Sequence, residues 1–292
     1  GPGRPRLGRG PPTAWVEQYL RDHPPPLQEG PNVDHLIARH QTAITAMLRA
    51  ASAAKWRGFR PGEHDELFAL RFLLSHKGHG ARATEAMRQT LAWRERRGAD
   101  AIGRFVTEHP QSDFPGHDRV GRCFPTPVFL PRGDCPPFML IDASRLEPAL
   151  LMQSVTVDEY VDYSMHLSEL LFRACDRVTR RTRRLCKAHR LVAMTGLRLR
   201  HASMQFARAA SAAAKDHVDC YPQNLGALFL CNMPLPMKIV WDTAVGPLLP
   251  ERVVEKTSVL NPARCAEDLE TLARHVRLED MPPAIYPGSG RA

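Results

Sequence analysis

Between residues 33 and 104 the apolar positions recur three and four apart. Leu67, Leu70, Phe72, Leu73 and Leu74 show it, and so do Ala86, Met87, Leu91 and Trp93. That is the spacing of helices that bury one face, and it predicts several short helices packed together. From 113 the period changes. "PGHDRVGRCFPTPVFLP" and "PPFMLIDASRL" are brief apolar runs broken by proline and glycine, which predicts short strands and turns. Residues 156–173 carry the longest helical pattern: Thr156 and Glu159 form a candidate capping box, and Val157, Tyr160, Val161, Leu167, Leu171 and Ala174 share a face. Then come a buried strand, "RLVAMTGL", a small-residue helix, "HASMQFARAASAAAK", and a strand apolar on both faces, "LGALFLC". Strands alternating with helices predict an α/β fold with a mostly parallel sheet. Before 33, "PGRPRLGRGPP" and "HPPPLQEGP" oppose regular packing apart from a short helix at 15–21. The expected organisation is a mobile or surface-draped arm over 1–33, a helical segment over 34–110 and an α/β domain over 111–292.

Composition narrows the function classes. A chain of 292 residues, 43% hydrophobic, can bury a sizeable core, which argues against disorder. Its apolar runs fall short of the roughly 20 residues of a membrane-spanning helix, and the opening "GPGRPRLGRG" lacks an apolar signal core. Seven cysteines, an odd number without a CxxC pair, oppose a disulfide framework or a zinc knuckle. A reducing, cytoplasmic setting is therefore expected. Forty Lys and Arg against 31 Asp and Glu leave a formal charge of +9, which favours an anionic partner. The run "RACDRVTRRTRRLCKAHR" concentrates that charge, with Arg180, Arg181, Arg183 and Arg184 near the end of the long helix. It has no interleaved aromatics for nucleic acid, so an anionic membrane surface is the expected partner, against a merely solvated helix end. No GxSxG, P-loop or HExxH occurs. His64, Asp65, Glu66, Glu159 and Glu169 read as solvated, and His76 and His79 would hold a metal only with further ligands. Neither catalysis nor a cofactor is expected.

Four pieces of sequence, in order, resemble the CRAL-TRIO lipid-binding family. "LRFLLSHKGHGARATEAMRQTLAWRERRGAD" is similar to its N-terminal helical segment, and "DRVGRCF" to its first strand's "DxxGRPV". "VDCYPQNLGALFLCNMPLPMKIVWDTAVGPLLPERVVEKTSVL" resembles "DxYPERLGxxxxxNxPxxFxxxxxxxxPFLxxxTxxKIxxL", and "LEDMPPAIYPG" resembles "LPxxYGG". The resemblance implies a lipid cavity walled by the strand at 225–231, with Leu228 and Leu230, and gated by the helix that follows. Pro234 and Pro236 stop the strand. The gate, at about 234–249, would present Ile239, Val240, Ala244 and Val245, with Met233 and Met237 as pliable wall.

Carried over position by position, the family's headgroup residues give a mixed set. Lys256 and Lys77 are kept. His76 stands for an arginine, Gln223 for a glutamate, Val253 for a threonine, and Ala188 and Arg190 for a serine and a threonine. The resemblance thus implies exchange of one membrane lipid, as a monomer peripherally bound to membranes. The rival reading is a scaffold with a collapsed pocket that regulates a protein partner.

Overall fold

A computed structural model describes residues 12, 14–25, 27, 29–131, 133–198, 201, 203–245 and 251–287. Within these, the side chains at 216–218, 236, 240, 244, 245, 251 and 252 fall outside the description. Five strands form one sheet: β1 (Val128–Phe129), β2 (Phe138–Asp142), β3 (Ala188–Ala193), β4 (Leu225–Cys231) and β5 (Thr257–Leu260), in spatial order β1-β2-β3-β4-β5. β1 runs antiparallel at the edge, and the other four are parallel.

Because spatial order follows chain order, every parallel crossover steps the same way. Connections of one hand then put their helices on one face of the sheet. These are α8 (Val157–Thr182), α9 (Met204–Cys220), and a shorter series after β4: α10 (Leu235–Val240), a wide turn over Trp241–Val245 and α11 (Glu251–Val254). The other face has to be covered from elsewhere. Segments far apart in the chain do so, α1 (Ala14–Asp22) and α12 (Ala266–Ala273), followed by residues 276–286. Val16 and Leu20 pack there with Phe229, Cys231, Leu269, Leu272 and Ile285. Each such Leu, Ile or Phe contributes about 1.5–3 kcal/mol by leaving water. The arm expected to drape over the surface is thus, at 14–22, part of the core. Tyr286 hydroxyl donates to Glu17.

The helical segment comprises α2 (Val33–Ala53), α3 (Glu66–Ser75), α4 (Gly80–Arg97) and α5 (Ala99–Glu108) around their own core of Ile44, Met47, Leu70, Leu73, Met87 and Leu91. A buried network docks it on α8. Arg94 Nη1 donates to Glu169 Oε1 at 2.7 Å, and Arg94 Nε and Nη2 reach Asp100 Oδ1 at 2.9 and 2.7 Å. Burial works against the Arg94 charge, but the two carboxylates outweigh it and its pKa is raised. Glu169, expected in solvent, is fully buried, and so is most of His64, whose Nδ1 accepts from the Arg60 N–H. Glu169 is compensated by a partner 75 residues away, His64 by one four residues before it.

One expected strand is a helix. "DRVGRCF" lies largely in α6 (His117–Cys123), where Val120, Cys123 and Phe124 are buried at i, i+3 and i+4, a helical interval; Pro125 and Pro127 then delay strand pairing to Val128. α7 (Pro148–Ser154) leads to α8. The capping box of α8 is formed: Thr156 Oγ1 accepts from Glu159 N at 3.2 Å, while Thr156 N donates to Glu159 Oε2 at 2.8 Å. α8 runs on to Thr182 and stops at Arg183, in the left-handed region at φ 57°. There residues 29–33 lie along 183–185. Leu185 N donates to Pro31 O and Val33 N to Arg183 O, both at 2.9 Å. A Cβ on Gly30 would stand 2.0 Å from Leu185 O, so only glycine permits this approach.

An apolar cavity under the crossover helices

Strand register sets the inner wall of the crossover face. Met139, Arg190 and Leu228 form one row across β2, β3 and β4, and Ile141, Val192 and Leu230 the next. Above β2 and β3 lie Tyr160, Leu167 and Leu171 of α8 and Phe206, Ala210 and Ala213 of α9, and between helices and sheet is a cavity of about 340 Å³. Alanines make the room: helix and sheet layers sit roughly 10 Å apart, a gap large side chains fill and methyl groups do not. Phe206 closes one side, its ring 5.7 Å from Tyr160 and 5.3 Å from Phe124.

Among the described lining residues Arg190 carries the only formal charge. Its exposure is intermediate, and it forms part of the cavity wall. Burial pulls its pKa down to about 10, against which only Tyr160 favours the charge, so it remains a cation at neutral pH. Burial also pushes Tyr160 up to about 12.

The expected site residues separate into groups. Arg190 lines the cavity; Leu228 and Leu230 share its face of the sheet. Met233 is buried beyond β4. On α10, Met237 is half-buried while Ile239 and Leu235 are 66% and 79% exposed. The side chains of Val240, Ala244 and Val245 lie outside the described residues, as do 246–249 of the expected gate.

The polar positions gather at the entry ends of the strands, outside the cavity lining. Gln223, in the left-handed region at φ 59°, donates to Ser75 Oγ at 3.1 Å, beside His76 and the exposed Lys77 at the end of α3. Lys256 Nζ donates to Leu225 O at 2.9 Å, and half-buried Val253 accepts at its carbonyl from Lys256 N. Burial, with Lys256 and Arg71 nearby, lowers Lys187 to about 8. A larger hollow of about 510 Å³ opens here on the opposite face of the sheet, under residues 27–31, with Lys187, His189 and His275 in its wall. Its mixed polar wall distinguishes it from the apolar cavity.

The four arginines at 180–184 of the basic run are each paired with a carboxylate of the protein. Arg180 meets Asp65 and Asp176 at 2.6 Å, Arg181 meets Asp134 at 2.6 Å, Arg184 meets Glu29 at 2.8 Å, and Arg183 meets Asp34. Its side chains tie α8 to the helical segment and to residues 29–34. The cavity wall from α8 and α9 was not anticipated from sequence; the signal was there in Ala210 and Ala213, one turn apart on the same face as Phe206.

A single, mostly parallel sheet with an apolar cavity under its crossover helices, its back closed by segments from far apart in the chain, defines an α/β cavity protein. The chain belongs to the CRAL/TRIO domain family, whose pattern matches residues 133–284. It is 22% identical, over 93% of its length, to the phosphatidylinositol/phosphatidylcholine transfer protein SFH14 of Arabidopsis thaliana, and 25% identical over 68% to SFH12, of the same description and organism. It spans 48% and 36% of those proteins, about half or less of their length. Among solved structures, that of Sfh5 superposes with a TM-score of 0.58 at 13% identity, covering 76% of this chain and 80% of the other, a likeness of fold. Among the described residues no helix is long and apolar enough to cross a membrane.

Proposed function

We propose that this protein binds one lipid at a time, shields its apolar part in the cavity between sheet and α8–α9, and exchanges it with membranes without making or breaking a bond. The observation that carries this reading is the cavity itself, apolar on nearly every side and built from a helix that withholds bulk. A cavity of a few hundred Å³ lined by apolar groups with a few convergent polar ones is the general form of a small-molecule site. The SFH14 and SFH12 descriptions, which name phosphatidylinositol and phosphatidylcholine transfer, support the same class. Exposed Leu235 and Ile239 on α10 are the apolar surface that would meet a bilayer as the segment after β4 swings outward. Lys256 and Gln223 already bond within the protein, so a headgroup role for them, with His76, Lys77 and Val253, requires those bonds to be exchanged for lipid ones.

Native mass spectrometry of protein purified from a eukaryotic host, followed by lipid extraction, tests the reading. A stoichiometric lipid together with transfer between vesicles is expected. Protein that carries no lipid and transfers none would instead be an interaction scaffold.

A further inference from the structure

A guanidinium inside an apolar cavity is a problem the fold does not solve by itself. Arginine stays charged at any physiological pH, and moving an unpaired charge out of water costs several kcal/mol. Elsewhere the chain answers this with carboxylates: Arg94 has Glu169 and Asp100, and Arg71 has Asp176. Among the described residues no carboxylate reaches Arg190; its neighbours in the sheet are Met139 and Leu228, and the cavity wall adds the hydroxyls of Thr126, Tyr160, Ser164 and Ser168, of which Tyr160 acts on its charge.

We infer that the missing counter-charge comes with the ligand: the cavity holds an amphiphile whose anionic oxygen headgroup, carboxylate or phosphate monoester, meets Arg190 inside the protein while one chain lies between the sheet and α8–α9. The planar guanidinium matches both headgroups with paired N–H donors, and the hydroxyls beside it supply further donors. The size agrees with one chain rather than two. At roughly 30 Å³ per chain carbon, about the share of one water in the liquid, 340 Å³ accommodates a chain of about eleven carbons. A choline headgroup would bring a second cation against Arg190 and is disfavoured there. This inference rests on the cavity being a lipid site, and it adds the ligand's charge and chain number.

The delipidated 292-residue protein titrated calorimetrically with dodecanoate, dodecyl phosphate, dodecanol and dodecyltrimethylammonium separates the possibilities. Both anions are expected to bind at least tenfold more tightly than dodecanol, and the cation not measurably. Arg190→Met should abolish the anion preference while keeping dodecanol binding. Arg190→Lys, which keeps charge and fold, should retain the preference at reduced affinity. A preference for only one of the two anions identifies carboxylate or phosphate as the headgroup and still supports the inference. Binding of both anions no tighter than that of dodecanol by the wild type, or an anion preference that survives in Arg190→Met, overturns the inference and leaves the lipid cavity standing. If no probe binds and no lipid co-purifies, both readings fall.

Discussion

Replacing Arg94 by methionine removes the cation that joins the helical segment to α8. Met is close to Arg in length and brings no charge, so the loss is electrostatic more than steric. What remains is Glu169, with none of its surface exposed, and Asp100, nearly as buried. Four hydrogen bonds disappear together: two to Asp100 at 2.7 and 2.9 Å and two to Glu169 at 2.7 and 3.2 Å. Summing charge-assisted bonds at about 1.5–3 kcal/mol each would overshoot, because desolvation has already cancelled much of that gain. Removing one partner of a buried pair costs about 3–5 kcal/mol. At roughly 2–4 °C per kcal/mol for a chain of this size, a loss near 4 kcal/mol lowers Tm by about 8–16 °C. Thermal and urea unfolding at pH 7, followed by circular dichroism, measure it.

Two controls fix the cause. Arg94→Met/Glu169→Met should recover most of the loss, since an apolar pair of similar volume replaces the buried ion pair. The pH dependence should follow Asp100. Burial would raise its pKa, but Arg94 outweighs burial and holds it below the usual value. A depressed carboxyl contributes stability that is present above its unfolded pKa, near 4, and is lost as pH falls through the folded value. The gap between wild type and Arg94→Met should therefore narrow below about pH 4. A loss under about 1 kcal/mol at pH 7, or a double variant no more stable than the single, would refute the network as the joint between segments.

Thr156→Ala removes the side-chain acceptor of the α8 capping box and should cost about 1 kcal/mol, read from chemical denaturation, without altering lipid binding. Ala213→Phe places a ring in the cavity, and the folded variant should co-purify with at most a tenth of the wild-type lipid; a full complement would move the ligand elsewhere. Leu235→Asp with Ile239→Asp should reduce vesicle binding and slow transfer several-fold, with lipid bound in solution unchanged.

The sequence carried what is local. Thr156 and Glu159 announce the start of α8 because a capping box is complete within four residues, and β4 is legible because seven apolar-leaning residues end at "NMP". α6 was misread because the helical spacing of Val120, Cys123 and Phe124 spans little more than one turn, too short to stand out against the Gly and Pro that flank it. Glu169 was misread because its partner lies 75 residues away, and burial of a charge is decided by that partner and not by its own neighbours. The resemblance located the fold, and the strand it singled out, with Leu228 and Leu230, lies beside the β3 residues that line the cavity. It did not locate the cavity, which is defined by missing volume: Ala210 and Ala213 look like ordinary helix formers until β3 stands opposite them.

The back of the sheet has a consequence for how the chain is made. Phe229 and Cys231 are synthesised some 40 residues before α12 and residues 276–286, which cover them, and more than 200 after α1, which packs beside that cover. On the ribosome α1 waits without its docking surface, and a finished parallel sheet has one oily side bare until the last turns emerge. Pairings so distant along the chain are slow to form and leave apolar surface open to other chains meanwhile. Expression of residues 133–284 alone, the span the family match outlines, would make that interval permanent for the part of the face α1 covers. Such a fragment is expected to aggregate, and residues 14–22 supplied with it should lessen the aggregation by covering that part of the face.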